Sequence, residues 1–165
     1  MGKILVILAC LCLLLAGCGA KETFETVDDL YAQPAAQPQF LHIDLPEEAA
    51  TPTLEQEETG SVYLCDGYTM TVQILPGGSL DTTLTQLTGF TSDRLTVMHT
   101  RQSDTDRYEC VWSAAGEGED HVGRLVILDD GAYHYAVTVM APEETAGSLT
   151  KTWQTLLNSA AISTD

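Results

Sequence analysis

Beyond residue 60, apolar and polar residues alternate with a period of two, which is typical of β-strands that bury one face. Two breaks between the alternating runs are Asp-Gly pairs, Asp66–Gly67 and Asp130–Gly131. Such a pair favours a tight hairpin because the turn needs positive φ angles that these residues accept. The pattern predicts an antiparallel sheet of about six strands in a meander. The strands are predicted at residues 62–65, 68–75, 94–102, 107–114, 121–128 and 132–141.

Two segments have helical spacing instead. In the first, which is short, Leu80, Leu84 and Leu87 lie on one side, and Gly89 suits the helix end. The second follows Pro142, and its apolar stripe has the width that covers a sheet. This stripe consists of Leu149, Trp153, Leu156 and Leu157. We therefore expect an α+β domain over residues 61–162, with a short internal helix and a C-terminal helix packed on one face of the sheet.

Residues 18–60 have a different composition, with ten acidic residues and few apolar ones. Four of their residues are prolines, at positions 34, 38, 46 and 52. Such a composition buries too little apolar surface to offset the entropy of ordering, so it predicts an extended acidic tether. The segment Phe40–Leu45 is an exception, because it alternates with a period of two. Whether it adds to the sheet is left open by its sequence.

The N-terminus has the pattern of a secretory signal over residues 1–17, with Lys3 followed by an apolar run and small residues. The apolar run is shorter than the roughly 20 residues that cross a bilayer as a helix. Leu15–Cys18 resembles the lipobox of bacterial lipoproteins. The resemblance implies cleavage between Gly17 and Cys18 and a diacylglycerol group on the Cys18 sulfur. Two acyl chains anchor a protein stably, so we expect lipid anchoring on the extracytoplasmic face of the cell membrane.

The order of the predicted elements resembles the PsbP-like fold, which includes small bacterial lipoproteins. The likeness is carried by an aromatic-rich strand, Tyr133–Pro142, that leads into an amphipathic helix ending at Trp153–Ser159. The resemblance implies no shared catalytic apparatus, since members of this superfamily bind proteins or have no known role. It therefore implies a non-catalytic domain.

Charge narrows the range of partners. The formal net charge is -17, and the loss of Lys3 with the leader would make it -18. A chain this acidic repels nucleic acid and anionic lipid headgroups. We therefore expect no nucleic-acid binding, and a monomeric domain that attaches to the membrane through lipid on Cys18.

Cys65 and Cys110 are the cysteines that remain beyond Cys18. Export would place them where disulfides form, and both lie on predicted strands, so they are a candidate disulfide pair. The alternative is two buried thiols that pack as small apolar residues.

Four aromatic residues on alternating strand positions form a candidate ligand face: Tyr108, Trp112, Tyr133 and Tyr135. They would suit a glycan or small ligand, whereas the alternative is that they form the core beneath a helix.

The sequence indicates neither metal-dependent nor nucleophilic chemistry. The four histidines, at positions 42, 99, 121 and 134, are too widely spaced to suggest a zinc site, and the acidic runs lack the ligand spacing of a calcium loop. No Gly-x-Ser-x-Gly motif occurs. We therefore expect a protein that is not an enzyme, has no cofactor and no metal, and binds an envelope protein. The alternative function is ligand or glycan binding.

Overall fold

The computed structural model describes residues 37–49, 51–56, 60–102, 104–115 and 118–163. The predicted leader, the cleavage position at Gly17 and Cys18, and the first half of the predicted tether lie outside these residues.

The described residues form nine strands and two α-helices, together with single 3-10 turns at Glu47–Ala49 and Ser92–Arg94. Their order is β1 (Phe40–His42), β2 (Leu54–Gln56), β3 (Gly60–Cys65), β4 (Tyr68–Pro76), α1 (Leu80–Thr88), β5 (Met98–Gln102), β6 (Thr105–Ala115), β7 (Asp120–Asp129), β8 (Tyr133–Pro142), α2 (Glu143–Ser159) and β9 (Ala161–Ser163).

The main sheet is antiparallel and has seven strands in the order β2-β3-β4-β8-β7-β6-β5. This confirms the α+β class and the antiparallel sheet. The meander is interrupted once, because β4 pairs with β8 and the chain passes through α1 to the opposite edge before it returns. The extra strand is β2, which pairs with β3 at the other edge.

The two helices lie on opposite faces of this sheet, so the expectation that both cover one face is wrong. Leu84 of α1 belongs to a core cluster with Leu125 and Ile127, whereas Trp153 of α2 belongs to a cluster with Val126 and Leu128. Strand β7 thus supplies alternate residues to two cores. The nearly continuous apolar run at 121–128 follows from this burial on both faces.

The folded unit begins well before residue 61, so the predicted boundary of the tether is corrected. Leu41 and Ile43 pack against the core beneath α2, and Ala49 is fully buried there. Strand β1 pairs with β9 in a separate two-stranded sheet. Part of the segment 40–45 is therefore a strand, but it does not join the main sheet. Apolar contacts with distant residues order this segment despite its composition.

One predicted strand begins later than expected. The run at 94–102 becomes β5 only from Met98 onward. Before it, Leu95 and Val97 pack against the core beneath α1.

The turn at Asp66–Gly67 agrees with the sequence prediction, since Cys65 pairs with Tyr68 across it. The second hairpin is different, because Asp129 pairs with His134 and the backbone N–H of Asp130 donates to the carbonyl of Tyr133 (3.3 Å), so Asp130 and Gly131 are not its two central residues. Gly67 and Gly89 have φ angles of 77° and 79°, which favour glycine.

Candidate functional site

The structure excludes a disulfide between Cys65 and Cys110. Their strands, β3 and β6, are separated by β4, β8 and β7. Four inter-strand steps of about 4.8 Å far exceed the Cα separation of about 7 Å that a disulfide permits. The two cysteines also belong to cores on opposite faces of the sheet. Burial raises the pKa of the Cys110 thiol to about 11.

The predicted aromatic ligand face does not exist as one surface. Tyr108 and Trp112 pack in the core beneath α1, whereas Tyr133 and Tyr135 pack in the core beneath α2. The aromatic side chains of β6 therefore face one side of the sheet and those of β8 face the other side. The sequence of each strand alone does not reveal this difference. The ring of Tyr108 stacks on His99, with centroids 4.7 Å apart. The alternative interpretation, that these residues belong to the core, fits their surroundings.

The structure brings together a hydroxyl, an imidazole and a carboxylate that sequence reasoning missed. Oγ1 of Thr83 lies 2.7 Å from Nδ1 of His134, and Nε2 of His134 lies 3.4 Å from Oδ2 of Asp129. The imidazole is 1% exposed and Thr83 is 6% exposed. A nucleophile must reach its substrate, and a buried hydroxyl does not. The contact instead joins α1 to β8 inside the core.

The N-terminal segment attaches to the domain at the hydroxyl of Tyr135. This hydroxyl accepts a hydrogen bond from the backbone N–H of Gln39 (2.7 Å) and donates one to Oδ2 of Asp130 (2.9 Å). The side-chain amide of Gln39 also donates to Oδ2 of Asp130 (3.2 Å). Burial raises the pKa of Tyr135 to about 12, so the hydroxyl stays protonated. The chain therefore approaches the sheet beside the β7–β8 turn.

Arg107 fulfils a structural role at the end of α2. Its guanidinium donates to the carbonyls of Leu157 (2.9 Å) and Ala160 (3.4 Å) and to Oε1 of Glu109 (2.7 Å). The last carbonyls of a helix lack partners within the helix, and a cation there is favourable. Arg107 is thus committed to capping α2, although it lines a cavity of about 270 Å³.

A cavity of about 680 Å³ lies at the end of the sheet where β3 turns into β4 and β8 ends. We call it the distal basin. Its lining includes Leu64, Cys65, Thr69, His121, Met140 and Pro142. Along β8, Pro142 comes seven positions after Tyr135, which is about 23 Å at the usual strand rise. The distal basin is therefore far from Gln39, although Thr53, further along the N-terminal segment, accepts a hydrogen bond from the backbone N–H of Leu64 (3.3 Å).

Carboxylates flank the distal basin in sequence. Asp66, Asp120 and Glu143 are each adjacent along the chain to a residue that lines it, and all three are exposed. Neither a lysine nor an arginine lines this cavity. No carboxylate lines the distal basin either, and because side chains alternate along β7, Asp120 points to the face opposite that of His121.

A smaller groove of about 230 Å³ runs beside the edge strand β5, where Met98 and Val111 are 56% and 51% exposed. Its lining includes Glu109 and Arg124, which carry opposite charges. The local field of this groove therefore selects no particular charge in a partner.

Among the residues that the structure describes, no group of three or more His, Cys, Asp or Glu side chains is placed to hold a metal ion. None of the helices in the described part of the chain has the length and apolar character needed to cross a bilayer.

Comparison with known proteins adds a structural likeness. No family model matches the chain, and no curated protein matches it. Among solved structures, it is similar to LpqN of Mycobacterium tuberculosis, a protein described as involved in cell envelope biogenesis. The identity is 13% and the TM-score 0.49, over 78% of this chain and 87% of LpqN. Similarity of this degree neither assigns a family nor transfers a function.

Proposed function

We propose that this chain is an exported, lipid-anchored, non-catalytic protein whose folded domain binds a protein partner in the cell envelope. The observation that carries the proposal is the position of the distal basin, about 23 Å along β8 from the site where Gln39 contacts Tyr135 and Asp130. A domain held at one end leaves the other end accessible to a partner.

The anchor is proposed from the sequence of residues 1–18, which combines a basic start, an apolar run and the small residues before Cys18. From Cys18 to Gln37 the chain advances by 19 residues, which reach at most about 65 Å when fully extended. This length suffices to hold the domain away from the headgroups.

The non-catalytic part of the proposal is supported by burial. The hydroxyl of Thr83 and the imidazole of His134 are enclosed between α1 and the sheet, and only the carboxylate of Asp129 is partly exposed. Arg107 is engaged by the carbonyls at the end of α2. These polar side chains therefore bind other parts of the fold and are not positioned to contact a substrate.

The anchor is tested by labelling cells with an alkyne fatty acid and comparing the wild type with Cys18→Ser. Cys12→Ser is the matched control, because Cys12 lies in the apolar run of the leader. We expect the label and the membrane fraction to be lost in Cys18→Ser alone. A Cys18→Ser chain that still carries the label contradicts the proposed anchor.

Binding is tested by crosslinking intact cells that express the full chain and then purifying it. Recovery of one stoichiometric envelope protein supports the proposal. Recovery of lipid alone contradicts it.

A further inference from the structure

We infer that β1 and β9 form a two-stranded flap that opens as a unit while the seven-stranded sheet stays folded. The flap is hinged at the end of α2 and pinned at its tip by Gln39. Three observations support it: the separate pairing of its strands, the few bonds at its tip, and a cavity between the flap and the sheet. The flap is a property of the described domain and does not depend on the proposed function.

The pairing of the flap is independent of the main sheet. Its strands pair over three positions, from Phe40 opposite Ser163 to His42 opposite Ala161, and in the described part of the chain they form a sheet of their own. By contrast, β4 and β8 pair over eight positions within the main sheet. Opening the flap therefore breaks no ladder hydrogen bond of the main sheet. Such a unit can open at a lower free energy than the whole domain.

Both strands of the flap are connected to the domain at the same end. β9 follows α2 after a single residue, Ala160. β1 continues into Asp44, whose backbone N–H donates to Oγ of Ser159 at the end of α2 (2.9 Å). This end is the hinge. The opposite end, where Phe40 lies opposite Ser163, is the tip.

The tip is held by the contacts of Gln39, which directly precedes β1. Its backbone N–H donates to the hydroxyl of Tyr135, and its side-chain amide donates to the carboxylate of Asp130. The two acceptors are themselves connected, because the Tyr135 hydroxyl donates to the same carboxylate oxygen. Phe40 adds little, since it is 68% exposed. The hydroxyl of Tyr135 is therefore the centre of the pin.

The underside of the flap packs incompletely on the sheet. Leu41 and Ile162 lie opposite each other and pack against the core beneath α2, but both are only partly buried. The cavity of about 270 Å³ is lined by Ala161 and Ile162 of the flap and by Arg107 and Leu128 of the main sheet. Side chains that border a cavity lack contacts on that side. The flap therefore loses few packing contacts when it opens.

The position of the tip connects the flap to the N-terminal segment. The chain that precedes Gln39 leaves the flap at its tip, whereas the hinge lies beyond His42. A pull on that segment therefore acts on the bonds of Gln39 before it acts on the hinge. If the pull comes from the lipid proposed for Cys18, anchoring is linked to exposure of the surface beneath the flap. This link alone rests on the proposed function.

The test is hydrogen exchange of the chain as purified from its own cells, measured by mass spectrometry on peptides from β1, β9 and β7. Tyr135→Phe removes the hydroxyl at the pin and keeps the ring in the core. We expect the protected amides of β1 and β9 to exchange faster by the same factor, about tenfold, which corresponds to the loss of roughly one hydrogen bond. Exchange in β7 should change less than twofold.

Tyr133→Phe is the matched control. Tyr133 lies two positions away on the same face of β8, but the bonds of Gln39 and Asp130 described above go to the hydroxyl of Tyr135. We expect it to change exchange in the flap less than twofold. Gln39→Ala is a second variant at the pin that leaves the core intact. It removes only the side-chain bond to Asp130 and should speed exchange in both strands by about threefold.

The other outcomes contradict the flap. Faster exchange in β1 alone shows that β1 separates from β9, and an equal rise in β7 shows that the domain opens as a whole. Unchanged exchange in both Tyr135→Phe and Gln39→Ala shows that Gln39 does not pin the tip. These outcomes leave the proposed function intact, because lipid on Cys18 and a captured envelope protein are measured separately.

Discussion

The close contact between Gly123 and Trp112 gives a sharp test of the packing beneath α1. Gly123 lies directly opposite Trp112 on neighbouring strands, and the indole is only 6% exposed. A Cβ atom added at Gly123 would overlap Cζ2 of the indole and would lie 2.6 Å from Cε2. Carbon atoms in contact are normally about 3.5–4.0 Å apart. In Gly123→Ala, the indole or the strand must therefore move.

The expected change in stability combines two opposing effects. Overpacking of a core costs about 1–3 kcal/mol. Replacing glycine by alanine lowers the entropy of the unfolded chain and returns about 0.4–1 kcal/mol. We expect Gly123→Ala to lower the free energy of unfolding by about 1–2 kcal/mol. With a urea m-value of about 2 kcal/mol/M, the unfolding midpoint falls by about 0.5–1 M.

The assay is urea unfolding of residues 19–165, monitored by circular dichroism, in a double-mutant cycle with Trp112→Leu. Leucine lacks the ring atoms that the new Cβ meets, so in that background Gly123→Ala should be neutral or stabilising. An equal loss of stability in both backgrounds would show that the indole contact is not the cause. A stabilising Gly123→Ala in the wild type would refute the packing argument.

Three further predictions concern other parts of the domain. Gly147 lies inside α2 with nothing within 4 Å of an added Cβ, so Gly147→Ala should raise the free energy of unfolding by about 0.5–1 kcal/mol in the same urea assay. Thr83→Val removes the hydroxyl that pairs with His134 and should lower the free energy of unfolding by about 1–3 kcal/mol. Thr83→Ser keeps a hydroxyl and should retain most of the stability. Similar losses of stability in both variants would argue against the hydrogen bond. Residues 19–165, unfolded without reductant, should show two titratable thiols. In the folded protein, Cys110 should react slowly with a thiol reagent at pH 8 and faster as the pH rises, because its pKa is about 11. A chain in which Cys65 and Cys110 are oxidised to each other would contradict their separation in the sheet.

Several elements were predictable because their signals are local. The turn at Asp66–Gly67 depends on the φ preferences of two adjacent residues, and the structure pairs Cys65 with Tyr68 across it. The end of α1 at Gly89 depends on a left-handed φ angle of 79°, which glycine accepts without strain. The apolar stripe of α2 was likewise apparent from its spacing, and Trp153, Leu156 and Leu157 are buried.

The candidate sites were much less predictable, because they depend on which strands become neighbours. The alternation in β6 and β8 indicates that Trp112 and Tyr135 each face a core, but not that the two cores lie on opposite sides of the sheet. The contact between Thr83 and His134 joins residues 51 positions apart. No local pattern encodes such a contact.

The sequence by itself determined the α+β class, the positions of most strands and both helices, and the acidity of the chain, because periodicity, turn preference and charge are properties of neighbouring residues. The tertiary structure alone decided that β4 pairs with β8, that α1 and α2 cover opposite faces, and that Gln39 attaches the N-terminal segment to Tyr135. It also decided where the distal basin forms, since Leu64 and Met140 come to line one cavity only through the order of strands in the sheet. That order is set by burial of the whole apolar surface at once, which no single segment specifies.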